Sequence, residues 1–228
     1  MMICNNQLKN HTTMKNLAIF LITFSLCATS LSGQNEKFQM AMGKALGQMS
    51  AAKGPEDLKN TANTFSRIAS AEAAEWLPQY YAALTHLWAG YSIMESNMTE
   101  AQALAKTALS EIQAGQKIAP NESELAALEA FAYQLQLLED PMTKGAEMSG
   151  KIFATLGKAE SLNPANPRVY YLRGNFTLNM PEFFGGGPAK AAPDLQKAVA
   201  AYAAFKPASP FHPNWGATEA GELADKVK

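Results

Sequence analysis

The sequence predicts an all-α protein, a stack of about four helix-turn-helix pairs, on three observations. Apolar residues recur at three- and four-residue steps; no run alternates polar and apolar long enough for a strand; the whole pattern returns at a fixed interval of 44 residues. Phe65, Leu109 and Phe153 are 44 apart, as are Ile68, Ile112 and Leu156, and each set is followed by a small residue at Ala71, Gly115 and Ala159. Tyr81, Leu125 and Val169 keep the same interval, and so do Leu84, Leu128 and Leu172.

Each unit reads as two helices. In "TEAQALAKTALSEIQAGQKIAP" Thr99 stands three before Gln102, the spacing of a capping box that satisfies first-turn amides. Ala101, Leu104, Ala105, Ala108, Leu109 and Ile112 then form one helix face. Pro120 has no amide to donate and ends the segment. "ESELAALEAFAYQLQLLED" resumes the periodicity and runs to Asp140-Pro141. The next unit, "GKAESLNPANPRVYYLRG", stops and restarts around Asn-Pro, with small residues at Ala159 and Gly174 where helices can cross closely. A fourth, blurred copy places Ala203 before Pro207 and Pro210, and "NWGATEAGELADKVK" reads as a terminal capping helix.

The spacing resembles the tetratricopeptide repeat: a large residue, a small one three later, and a proline five after that. Ile68–Ala71–Trp76, Ile112–Gly115–Pro120 and Leu156–Ala159–Pro164 occupy those places, with Trp76 replacing one proline. Tyr170 and Gly174 match the aromatic and the small residue of the following first helix, whereas His86 and Ala130 replace that small residue elsewhere. The period exceeds the usual 34, which implies longer helices or wider turns. The resemblance, to exported bacterial proteins of this kind, implies a right-handed superhelical solenoid over roughly residues 36–206. Its first helices would line a concave face. It also implies a non-catalytic binding or scaffold role, with a protein or peptide partner on that face.

The first 33 residues are read apart. "MKNLAIFLITFSLCATSLSGQNEKF" joins a basic start at Lys15, an apolar run from Leu17 to Leu26 and small residues from Ala28 to Gly33, the layout of a secretory signal peptide. The apolar run is short for a membrane span of about 20 residues, although a retained anchor is the alternative. Met14 is a plausible start, which would make residues 1–13 an extension. Cleavage near Ser32 or Gly33 leaves one domain over 34–228, an exported (periplasmic or secreted) chain without stable membrane insertion. Leu26 and Phe24 before Cys27 do not suit lipidation, and both cysteines, Cys4 and Cys27, fall in the leader. The mature chain then has no disulfide and depends on its core.

Across 228 residues, 19 basic and 20 acidic side chains give a net charge of −1; removing Lys9 and Lys15 leaves 17 against 20, or −3. No basic excess marks a nucleic-acid binder. Outside the leader only His86 and His212 remain as histidines, too few and too scattered for a metal site, and His86 among Leu84, Leu87 and Trp88 suits an inter-helix position. Glu72 and Glu75 share a helix face, as solvated acids commonly do, and "FHPNWG" reads as a chain reversal packed on the cap. No Gly-x-Ser-x-Gly nucleophile motif occurs, nothing calls for a cofactor, and the chain reads as no enzyme.

Two places remain for a ligand. "NMPEFFGGGPAKAAPDLQKAV" inserts about five residues relative to the other turns; Phe183 and Phe184 either plug the end of the stack or form a ligand-contacting lip. Amides of Gly185, Gly186 and Gly187, with Lys190 nearby, suit an anion nest. The aromatic residues of the first helices, Tyr80, Tyr81, Trp88, Tyr91, Phe131, Tyr133, Tyr170 and Tyr171, divide between core and groove, with Tyr80, Tyr171 and Arg173 expected to be exposed. The candidate binding set is therefore Tyr80, Tyr171, Arg173, Phe183, Phe184, Gly186 and Lys190. A small apolar ligand, bound as an accessory of a transport system, is the alternative to a protein partner.

Overall fold

The structure is a computed structural model that describes residues 36–228; the leader proposed over 1–33 lies outside them. The chain divides into two units, 1–41 and 42–228, and the core, the helix pairs and the candidate site all belong to the second. After a helix over 36–51 (α1) come α2 (Pro55–Ala71), α3 (Leu77–Ile93), α4 (Met98–Ile118), α5 (Ser123–Leu137) and α6 (Pro141–Leu162). α7 (Pro167–Asn179), a short 3-10 turn (Glu182–Phe184), α8 (Pro188–Ala204) and α9 (Ala217–Lys226) complete the order. No strand occurs among the described residues, and no helix there is long and apolar enough to cross a membrane.

From α2 to α8 short connections make each helix antiparallel to the next, and from α2 to α9 each packs on its sequence neighbour. α3, α5 and α7 also contact one another in series. They run parallel, because Asn166 and Arg168 at the start of α7 bond Ser123 and Glu124 at the start of α5, while Gly90 near the end of α3 abuts Leu135 near the end of α5. Burial follows from this layering. α4 buries one stripe, Ala101, Ala105, Ala108, Ile112 and Gly115, whereas α3 and α5 bury nearly their whole circumference. The residues at 44-residue spacing, Tyr81, Leu125 and Val169, then Leu84, Leu128 and Leu172, are all core.

The small residues divide. Gly115 and Ala159 are buried; a β-carbon on Gly115 would stand 2.9 Å from a Leu125 methyl, so the small residue lets Leu125 pack closely against the backbone of α4. Gly174 is equally tight, with its added carbon 2.7 Å from Leu195 Cγ. Ala71 differs from the expectation: it is the last residue of α2 and lies exposed, with the chain leaving the helix at Glu72 rather than crossing a neighbour. The cap of α4 also shifts. Asn97, not Thr99, is the N-cap, accepting the Glu100 amide at 3.1 Å while its own amide reaches the Glu100 carboxylate.

Candidate functional site: the ring surface of α3, α5 and α7

Beyond α8 the chain turns back. Residues 205–216 cross the face of α3, α5 and α7 that α4 and α6 leave uncovered. Tyr81 donates its hydroxyl to the Phe211 carbonyl at 2.9 Å, and Trp215 donates its indole N–H to the Tyr80 hydroxyl at 2.8 Å. The Trp215 carbonyl accepts from Tyr202 at 2.9 Å and from Arg168 at 3.2 Å. Gly216, at φ 96°, follows because a side chain in that left-handed conformation would strike the Tyr202 hydroxyl.

Trp215 is thereby placed at the hub of a set of half-buried rings. Trp88, Phe131 and Tyr171 each stand 6.1 Å from it, Trp88 and Tyr171 edge-on and Phe131 tilted by 33°. Tyr91 stacks on Phe131 at 4.6 Å and donates its hydroxyl to the Phe131 carbonyl. Burial pushes the Tyr171 hydroxyl up to about 12 and raises that of Tyr91 well above its ordinary value, so both stay neutral at any physiological pH. The result is a neutral cluster of five half-buried rings, chemistry that suits a flat apolar ligand.

Beneath the rings lies a buried polar layer. Arg168 clamps Glu124 through two bonds of 2.6 Å, with both side chains out of solvent, and its guanidinium lies 4.7 Å from the Phe205 ring. Burial opposes the Arg168 charge, but the Glu124 carboxylate outweighs it and holds the guanidinium firmly protonated. Tyr80 is fully buried beside this pair, and burial first, then the Glu124 charge, pushes its hydroxyl well up. Tyr80, Glu124 and Arg168 are themselves 44 residues apart. Polar residues recurring at the 44-residue interval were the sequence signal for this layer.

The sequence-derived candidates scatter. Tyr171 borders the ring surface. Tyr80 is not exposed as expected but sits under it, bonded to Trp215. Arg173 is not free for a ligand either: it binds Asp194 through two bonds of 2.9 and 2.7 Å and Glu160 at 2.6 Å. Asp194 first, and then Glu160, raise its guanidinium further, while Arg173 first and Lys197 next hold the Glu160 carboxyl down at about 2. Phe183 and Phe184 do not plug the stack; they are 89% and 61% exposed. The anion nest is also unavailable as drawn, since the amides of Gly185, Gly186 and Gly187 are spent on the carbonyls of Glu182, Pro181 and Thr177. Gly186 is buried against the Met180 carbonyl and Lys190 is exposed.

His86 has the inter-helix place expected of it, with Nδ1 2.9 Å from Glu111 Oε2. His212 packs edge-on to Trp76 and against Phe205, and its Nδ1 is buried with no hydrogen-bond partner. A separate cleft of about 440 Å³ lies along α2, lined by Gln48, Asp57, Asn60, Thr64 and Arg67 among others. Its walls mix these polar side chains with Ala51 and Ala52, and no aromatic ring lines it.

No family model matches the chain, and no curated protein does. Among solved structures it is similar to the HusA haemophore from Porphyromonas gingivalis, with a TM-score of 0.75 and 30% identity over 84% of this chain and 92% of that one.

Proposed function

Because the chain belongs to the family of the HusA haemophore, we propose that it is a non-catalytic carrier whose ligand is haem or a related flat porphyrin. The observation that carries this reading is the ring surface around Trp215, five neutral aromatic side chains gathered from three helices and the returning segment. An apolar macrocycle stacks on such faces without needing a charged cradle. His86 is engaged by Glu111. The proposed grip is on the faces of the macrocycle, through the rings around Trp215. The same reading takes residues 34–228 as one exported domain released from its leader, with the helix pairs wound as a tetratricopeptide-like right-handed superhelix and α3, α5 and α7 on its concave side.

A peptide partner on that concave side is the less favoured reading. Residues 205–216 already lie there, held by hydrogen bonds to Tyr81, Tyr80, Arg168 and Tyr202, and an incoming peptide would have to displace them.

Titration with haemin, followed by its Soret band and by tryptophan quenching, tests the proposal. Trp88→Leu together with Phe131→Leu should weaken binding about tenfold or more, the loss expected from removing stacking contacts worth on the order of 1 kcal/mol. Iron-free protoporphyrin should bind within about tenfold of haemin. If instead Phe183→Ser/Phe184→Ser abolishes binding while the inner-face variant keeps it, the ligand belongs to the 183–190 lip with Gly186 and Lys190. If no variant binds differently and the parent protein binds nothing, the carrier reading falls.

A further inference from the structure

The turns that close α3, α5 and α7 lie at one edge of the molecule, because those three helices are parallel and their starts are tied together. Gln102 at the start of α4 donates to the Leu135 carbonyl near the end of α5, which brings the 94–97 turn to the same edge. Of the large apolar residues exposed in 42–228, Leu138, Phe183 and Phe184 come from these turns and Met142 from the start of α6 beside one of them, leaving Val199 elsewhere. Soluble chains seldom gather exposed apolar side chains without a use for them.

The longest of the turns is built to hold its shape. Gly185 and Gly187 sit at φ 86° and 93°, where side chains are strained, and the three successive glycine amides bond back into the turn. Phe183 and Phe184 stand edge-to-face at 4.9 Å, presented outward on that frame. An aromatic side chain has only two torsions to fix and so loses little conformational entropy on docking, which is why such rings serve as anchors in interfaces.

Charge identifies the occupant. In sequence, Glu95, Glu139, Asp140 and Glu182 flank the apolar residues of these turns, against Lys144 and Lys190; Glu139 is paired with Lys144 at 3.0 Å, which leaves the acidic side in excess. This acidic rim repels an anionic lipid surface and equally repels a second copy of the same edge. We propose that the turn edge is a docking surface for a protein partner that offers an apolar pocket rimmed by lysine and arginine. It is distinct from the ring surface and does not depend on what that surface carries.

The test replaces Phe183 by a photoreactive phenylalanine analogue in the full-length protein expressed in its own host. The proposal expects one discrete protein adduct whose cross-linked peptide contains apolar residues beside Lys or Arg. Its yield should fall severalfold at high salt, where rim charges are screened. Glu139→Lys/Glu182→Lys should reduce it at least as much, and haemin titration of that variant should match the parent. Absence of a protein adduct, an adduct with a second copy of the chain, or an adduct indifferent to salt and to charge reversal would each overturn it. So would co-sedimentation with phosphatidylcholine or phosphatidylglycerol vesicles that Phe183→Ser/Phe184→Ser removes. Loss of haemin binding in the parent protein would count against the carrier reading alone.

Discussion

The two ends of α5 and α7 invert the usual distribution of polar and apolar groups, each in its own direction. At their N-terminal ends a full ion pair, Glu124 with Arg168, lies out of water, joined by Ser123, Asn166 and the Tyr80 hydroxyl. At their C-terminal ends Leu138, Met142, Phe183 and Phe184 stand in water. The first departure is closed, with each of its polar side-chain atoms given a hydrogen-bond partner inside the molecule. The second is open, with its backbone satisfied and its side chains offered outward. A buried polar group held by partners contributes to a unique structure; an exposed apolar one stabilises nothing until something covers it.

The comparison breaks most visibly at the closed end. Arg168→Met should cost about 3–5 kcal/mol in urea denaturation, because it strands the Glu124 carboxylate and releases the Trp215 carbonyl. Adding Glu124→Leu should recover most of that loss, since two apolar groups replace a matched pair without leaving a bare charge. If the single variant is as stable as the parent, the layer does not hold the returning segment.

A smaller effect separates repeat positions that look alike in sequence. Ala159→Leu and Gly174→Leu should each cost about 1–3 kcal/mol by overpacking, whereas Ala71→Leu should stay within about 0.5 kcal/mol because Ala71 is exposed. Thermal melts of the three variants decide it. Equal losses would mean that the end of α2 packs as the ends of α4 and α6 do.

That contrast marks how far the sequence could be read. Helix periodicity and the 44-residue interval locate the core, and they locate Gly115, Ala159 and Gly174, because each is set by contacts that recur with the repeat. Ala71 breaks the pattern since α2 simply ends there. The Tyr80–Glu124–Arg168 layer carried the same interval, but its members are polar, and a search for apolar recurrence passes over them. Tyr80 and Arg173 looked exposed beside polar sequence neighbours, yet Trp215 and Asp194, the residues that cover or bind them, come from later in the chain. The return of 205–216 follows no period at all: Tyr81 and Phe211 are joined across 130 residues. The glycine turn was legible as a turn, but the destination of its amides depends on how the chain closes on Pro181 and Thr177.

A third effect sits between the two ends, where Arg173 joins Glu160 and Asp194 on the outer side of α7. The Glu160 carboxyl is held at about 2, below its ordinary value near 4.5, chiefly by Arg173. A depressed acid contributes stability that is complete above its unfolded value and is lost as pH falls toward the folded one. Partial exposure screens the pair, so the loss between pH 4.5 and 2 should be on the order of 1–2 kcal/mol. Urea midpoints measured across that range should fall less steeply in Glu160→Gln. An unchanged slope would remove this pair from the acid response.

The smallest expected effect tests the open end. Phe183 and Phe184 touch each other and mostly water, so Phe183→Ser/Phe184→Ser should change stability by no more than about 0.5 kcal/mol. Replacing Gly187 by valine in the same turn should do more, since a β-branched residue resists φ 93° and its β-carbon meets Glu182. Together the two variants distinguish the frame from what it displays. If the serine pair destabilises as strongly as the valine, the rings are packing elements and the two ends of α5 and α7 differ less than their exposure indicates. If only the valine does, the turn keeps its shape for the sake of the side chains it presents, and those side chains are dispensable to the fold that presents them.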